Sequence, residues 1–411
     1  MFNMGIYQCI IRCSLNATKL SMSGPPLQNL KCTNHARSFN TLCQQAARPC
    51  IRTPAKNVQV SVLRCSKTAA TAGEMSDVAR KWVGRWLFGC SGMVFGAVAL
   101  GGLTRLTESG LSMTDWHLFG KRPPLTAAEW QREFMQYQQY PEYKLKNKDM
   151  TMTEFQFIWW MEYGHRQWGR AIGTVFAVPA VVFWYKGYFT SMLKKRVVLC
   201  GVLIGLQGLL GWYMVKSGLE DRFHSESDVP RVSQYRLMSH LGAAFVLYTI
   251  LLWNAMGVSF PAQFVATVTP GARSFRKLVH VTKGWIFLTA MSGALVAGLD
   301  AGLVYNSFPK MADRWIPSDL LALSPTLSNF TENPTTVQFD HRIMGTTTLV
   351  LATLVAVRSR RVLLLPARAR TAATALAAIA WMQVGLGIST LLWFVPTWLA
   401  SLHQCGSLLT L

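Results

Sequence analysis

The sequence predicts an all-α membrane protein of eight transmembrane helices, the last truncated, arranged as two pseudo-symmetric four-helix bundles. Three observations carry that expectation: a composition too apolar for a soluble domain, apolar runs that recur near bilayer length, and a second half that repeats motifs of the first at constant spacing. Of 411 residues, 51% are hydrophobic and 15% charged, whereas soluble domains carry roughly 25% charged residues.

The charge balance needs a position-by-position reading. Lys and Arg total 41 against 19 acids, a net charge of +22, which nucleic acid, anionic lipid or targeting could each explain. Residues 1–73 hold Lys19, Lys31, Lys56, Lys67, Arg12, Arg37, Arg48, Arg52 and Arg64 but no acid; the first is Glu74. An acid-free, Arg- and Ser-containing leader reads as a mitochondrial transit peptide, with a disordered basic tail as the plainer alternative. Six of the nine cysteines (Cys9, Cys13, Cys32, Cys43, Cys50, Cys65) lie in it without a CxxC pair. Cys90, Cys200 and Cys405 remain, each in an apolar stretch, so neither a disulfide framework nor a zinc site is supported.

Beyond the leader, apolar runs lie near 86–106, 157–185, 197–215, 237–260, 282–307, 341–357, 371–395 and 397–411. A span needs about 20 residues, so seven are read as complete and the eighth as cut short. Between them, the connections 186–196, 259–283 and 358–370 are basic and acid-free, while 106–160 and 216–236 mix acids with bases. Basic loops stay on the side from which insertion occurs. In a mitochondrial inner membrane this places the N-terminus and the basic loops in the matrix and the mixed loops in the intermembrane space. Loops that alternate with spans make nucleic-acid binding a poor reading.

The duplication is specific. His165-Arg-Gln-Trp-Gly169 recurs as His341-Arg-Ile-Met-Gly345, and Leu206-Gln207-Gly-Leu-Leu-Gly211 as Met382-Gln383-Val-Gly-Leu-Gly387, both at an offset of 176 residues (165 to 341, 207 to 383). Ser239-His240-Leu-Gly242 finds its echo in Leu402-His403-Gln404-Cys-Gly406. Three matches in order indicate a repeated four-helix unit, with 83–260 as the first half and 282–411 as the second.

Four of the eight histidines, His165, His240, His341 and His403, begin the second and fourth helix of each half. Facing imidazoles from two helices of a bundle suit axial ligation of haem iron, with Gly169, Gly242, Gly345 and Gly406 leaving room for a flat macrocycle. Structural histidines bonding neighbouring carbonyls are the alternative for any one of them. Arg166 and Arg342 could hold haem propionates or simply snorkel to the interface. Gln207 and Gln383 read as helix–helix glue. Glu162 precedes His165 by three residues, on the same helix face, where the second half carries Gln338. A membrane carboxylate is a functional candidate by default, and pairing with Arg166 or Arg170 is the structural alternative.

Glu162-Tyr-Gly-His165-Arg, the partner His240, Phe339-Asp-His341-Arg and Leu402-His403-Gln404 resemble the signatures of the haem A synthase family, over about residues 83–411. The resemblance implies stepwise oxidation of the C8 methyl group of haem O to a formyl group, giving haem A for cytochrome c oxidase. It implies His165, His240 and Glu162 at the substrate haem and His341 and His403 at a haem b. It also implies an electron donor such as ferredoxin, and haem O synthase and oxidase assembly factors as partners; a homo-oligomer is compatible with it. The chain departs from many bacterial relatives in having no Cys in 107–160. It also ends eight residues after His403. The rival classes are a bis-His electron-transfer cytochrome, which would place ligands at both membrane depths, and a non-catalytic haem-delivery or oxidase-assembly scaffold, which would form no haem A.

Overall fold

The computed structural model describes residues 75–219, 232–260 and 269–411. The basic leader, the acids Glu220, Asp221 and Asp228 of the 216–236 connection, and 261–268 lie outside the described residues.

Helix α1 (Asp77–Leu106) starts where the Ser76 hydroxyl accepts from the Ala79 amide at 3.2 Å. Two short helices, α2 (Ala127–Tyr137) and α3 (Pro141–Leu145), precede α4 (Met152–Tyr185). Both α2 and α4 open with reciprocal capping boxes, Thr126 with Glu129 and Thr151 with Glu154, which satisfy amides that a helix start leaves unpaired. Then follow α5 (Ser191–Gly218), α6 (Gln234–Ser259) and α7 (Pro270–Gly298). The one-turn α8 (Asn329–Glu332) leads into α9 (Pro334–Arg361), α10 (Ala367–Leu392) and α11 (Thr397–Thr410).

Helices therefore stand at all eight expected places, and six of them (α1, α4, α5, α6, α7, α10) are long and apolar enough to cross a membrane. Two differ. Helix α9 carries Asp340 and Arg342 inside it and ends on Arg358, Arg360 and Arg361, and α11 has 14 residues. Boundaries moved too. Helix α7 already runs from Pro270, so Arg273, Arg276, Lys277 and Lys283 sit on its first turns rather than in a loop, and it stops at Gly298, with a 3₁₀ turn at Ala301–Leu303. Thr269 as a cap and Pro270 at the first helical position set that early start.

Helix α1 packs on α4 and α6, and α5 packs between α4 and α6; α7 packs on α9, α9 on α10, and α10 on α11. The last helix of each set meets the first of the other, α6 on α7 and α11 on α1. Val83, Leu87, Val94, Phe176, Val197, Phe245 and Leu251 belong to the largest buried cluster among the described residues, drawn mainly from α1, α4, α5 and α6 and joined by Leu408 of α11. Gln404 of α11 donates to the Val98 carbonyl of α1 at 2.8 Å, and Arg105 after it pairs with Asp300 at 2.7 Å.

A second, aromatic cluster seats the first mixed-charge loop on α4. Tyr137 and Phe155 stack at 5.4 Å, Trp130 meets Trp159 edge-on at 5.1 Å, and Trp159 stacks on Tyr163 at 4.9 Å. Such pairs add about 0.5–1.5 kcal/mol each beyond their buried area. Lys121 bridges Asp115 (3.1 Å) and Glu133 (2.6 Å), fixing the loop's middle.

Candidate functional site

The four histidines fall as expected on α4, α6, α9 and α11. His341 and His403 face each other with ring centroids 6.3 Å apart and planes at 88°. Two metal–imidazole bonds of about 2 Å plus the inner halves of two rings come to roughly 6 Å, so this pair has the separation of two axial ligands on one metal. The rings are neither stacked on each other nor spent on a carboxylate.

Each imidazole lies over a glycine of the neighbouring helix. A Cβ on Gly101 would stand 2.9 Å from His165 Cε1, on Gly293 3.1 Å from His341, on Gly387 2.8 Å from His403, and on Gly211 3.5 Å from His240. Side chains at Gly101 and Gly387 would push the rings off station and one at Gly293 would crowd its ring, whereas one at Gly211 would only reach ordinary contact. These four seats were missed by sequence reasoning, although Gly211 and Gly387 end the very repeats that define the 176-residue offset. Of the glycines expected to admit a macrocycle, Gly169 and Gly345 do face open space. Gly242 instead approaches Met291, and Gly406 approaches the Gln383 side chain.

Gln207 and Gln383 act as helix glue: each donates to the backbone carbonyl of its histidine, Gln207 to His240 at 3.2 Å and Gln383 to His403 at 2.5 Å.

Glu162 is buried, and its carboxylate is fully engaged. One oxygen accepts from the Ser112 hydroxyl and the Met113 amide, both at 2.7 Å, and the other from Arg166 at 2.5 Å. Of the two structural partners weighed for it, Arg166 is therefore the one found. Arg170 instead donates to the carbonyls of His117 (2.7 Å) and Leu118 (3.1 Å). Arg166 spends its remaining reach on the carbonyls of Met113 (2.8 Å) and Asp115 (2.7 Å). In the second half, Gln338 donates to the Ala301 carbonyl at 2.6 Å and accepts from Arg342 at 2.9 Å, while Arg342 also donates to Tyr305 O at 2.9 Å. Both arginines thus clamp the loop that follows the first helix of their own half, a role the expectation of propionate binding did not include. Arg342 keeps its buried Nε–H without a partner among the described residues, a donor that fits an anionic group entering from that side.

The histidine pairs differ in what holds their outer nitrogens. His341 Nδ1 lies 2.8 Å from Ser292 Oγ and His403 Nδ1 lies 3.1 Å from the Gln383 carbonyl. His165 Nδ1 and His240 Nδ1 are buried with no hydrogen-bond partner among the described residues. A facing pair at ligand separation and glycine seats beneath the rings fit a haem better than they fit a set of structural histidines.

Comparison with known proteins agrees. Residues 84–411 match the family described as Cytochrome oxidase assembly protein. The chain is 53% identical to the haem A synthase of Homo sapiens over 396 residues, covering 93% of this chain and 94% of that protein. It is 42% identical to the haem A synthase of Saccharomyces cerevisiae over 355 residues, 80% of this chain and 73% of that protein. It is 38% identical over 366 residues to a haem A synthase–mitochondrial ferredoxin fusion protein of Schizosaccharomyces pombe, 82% of this chain and 59% of that protein.

Proposed function

The chain belongs to the cytochrome oxidase assembly protein family, and from that premise we propose that its two histidine pairs serve two haems, His165 and His240 the substrate haem O and His341 and His403 a b-type haem. The protein is an oxidoreductase that converts haem O to haem A by oxidising a ring methyl to a formyl group, and it is a multi-pass membrane protein of mitochondria. Neither a simple electron-transfer cytochrome nor a non-catalytic scaffold is favoured beside relatives named as synthases.

The observation that carries the assignment is the facing of His341 and His403 at 6.3 Å over Gly293 and Gly387, with the same glycine seating under His165 and His240. A haem held by these residues would supply one-electron redox chemistry. The protein's own part is placement. Residues 83–260 would orient the substrate and residues 282–411 would hold the second haem, with Arg342 available as a donor to its anionic groups. Glu162 is a positioning residue: with Arg166 it ties the Ser112–Asp115 strap to α4. Basic residues at the opposite helix ends support an inner-membrane orientation with the histidines toward the intermembrane space, and residues 1–73 are the import leader. The ferredoxin fused to the fission-yeast relative supports a ferredoxin as electron donor.

The test is haem extraction from membranes that make haem O and express the full chain. Haem A in the extract is expected; haem O alone would overturn the reading.

A further inference from the structure

On the above placement of two haems, the hydrogen-bond directions at the C-terminal pair carry a further consequence. Ser292 Oγ lies 2.8 Å from the Thr289 carbonyl and 2.8 Å from His341 Nδ1. A hydroxyl has one proton and a carbonyl can only accept, so both bonds exist together only when His341 carries its hydrogen on Nδ1. The Gln383 carbonyl likewise obliges His403 Nδ1 to be the donor. Both rings are then held with the Nε2 lone pair free. Fixing the outer nitrogen sets both the tautomer and the ring angle of a metal-ligating histidine and raises its basicity.

The N-terminal pair lacks this device. Gly101 and Gly293 occupy equivalent seats beneath His165 and His341, which puts Leu100 where the second half has Ser292. Among the described residues, His165 and His240 keep buried Nδ1 atoms unpartnered.

We propose that Ser292, together with the Gln383 carbonyl, is a tautomer lock that makes the His341–His403 pair a permanent haem seat, and that its absence beneath His165 and His240 makes that pair an exchangeable one suited to a substrate that must leave. Ser292 acts through His341 and is a positioning residue.

The experiment uses the full chain, purified with bound haem, and follows haem transfer to excess apomyoglobin together with the redox midpoint and the low-spin electron paramagnetic resonance of the haem that remains. Wild type should lose haem in two phases. Ser292→Ala should speed the slow phase by about tenfold or more, within the 10–100-fold range typical of partners to metal-bound histidines. It should also raise the midpoint, because a less basic imidazole favours the ferrous state, and shift the resonance as the 88° ring angle relaxes. Ser292→Thr, which keeps the hydroxyl, should restore all three. Leu100→Ser should slow the fast phase. A Ser292→Ala protein with wild-type transfer rate, midpoint and resonance, alongside a His341→Ala protein stripped of the slow haem, would overturn the lock alone. Retention of the slow haem by His341→Ala would overturn the underlying placement and the lock with it.

Discussion

Glu162 and Arg166, one helical turn apart on α4, pair at 2.5 Å and jointly grip the backbone of Met113, the carboxylate taking its amide and the guanidinium its carbonyl. Gln338 and Arg342 stand in the same relation in α9 but with the polarity partly reversed, because Gln338 donates to a carbonyl where Glu162 accepts from an amide. The halves therefore differ in strap chemistry while sharing strap geometry.

Glu162→Gln should loosen the first strap. An amide offers one acceptor oxygen where three donors now converge, leaving a buried donor short at a cost of about 1–3 kcal/mol. Thermal unfolding of the detergent-solubilised chain should fall accordingly, with hydrogen exchange rising at 109–116. An unchanged melting temperature and unchanged exchange would remove Glu162 from the strap.

The glycine seats separate close contact from ordinary contact. Gly387→Ala puts a Cβ 2.8 Å from His403 and Gly101→Ala one 2.9 Å from His165, whereas Gly211→Ala meets His240 at 3.5 Å. The first two should displace an imidazole and lower haem content at their own site. Gly211→Ala should be tolerated, with a helix-propensity gain of up to about 0.5–1 kcal/mol. Visible spectra of the three purified variants decide, and equal haem loss in all of them would count against the seats.

Much of this was legible in the sequence. The apolar runs and the charge asymmetry identify a helical membrane protein, because both are local signals, and the 176-residue offset stands in the same sequence. What stayed hidden depends on which neighbour a side chain meets. Gly101 and Gly293 do not share the 176-residue offset, so their common role appears only when α1 lies against α4 and α7 against α9. The spacing of Glu162 to His165 fixes a shared helix face but says nothing of a loop amide arriving from Met113. Ser292 is a small residue in an apolar run, and only the fold brings it to His341.

The first mixed-charge loop should be pH-sensitive. Glu142 in α3 is buried, with the Tyr137 hydroxyl donating to it at 3.0 Å and Asn147 donating to that phenol oxygen at 2.7 Å. Burial pushes its carboxyl up to about 8, with the nearby Glu162 charge adding to the rise and the Tyr137 bond and Lys146 opposing it. The folded state therefore holds a proton that the unfolded chain has already lost. That contribution is complete below the ordinary value of 4.5 and is lost as pH rises through about 8. Hydrogen exchange at 137–147 should speed up between about pH 5 and about pH 9 beyond its intrinsic pH dependence, and Glu142→Gln should abolish that excess. The same excess in wild type and Glu142→Gln would assign the sensitivity to another group.

The central claim is that the two histidine pairs hold different haems, and the most direct measurement is the haem composition of purified His165→Ala and His341→Ala proteins from cells that make haem O. The account predicts that His341→Ala loses b-type haem while remaining inserted, since the apolar spans and not the iron drive insertion, and that His165→Ala keeps b-type haem but yields no haem A. Identical haem profiles in the two variants would contradict it.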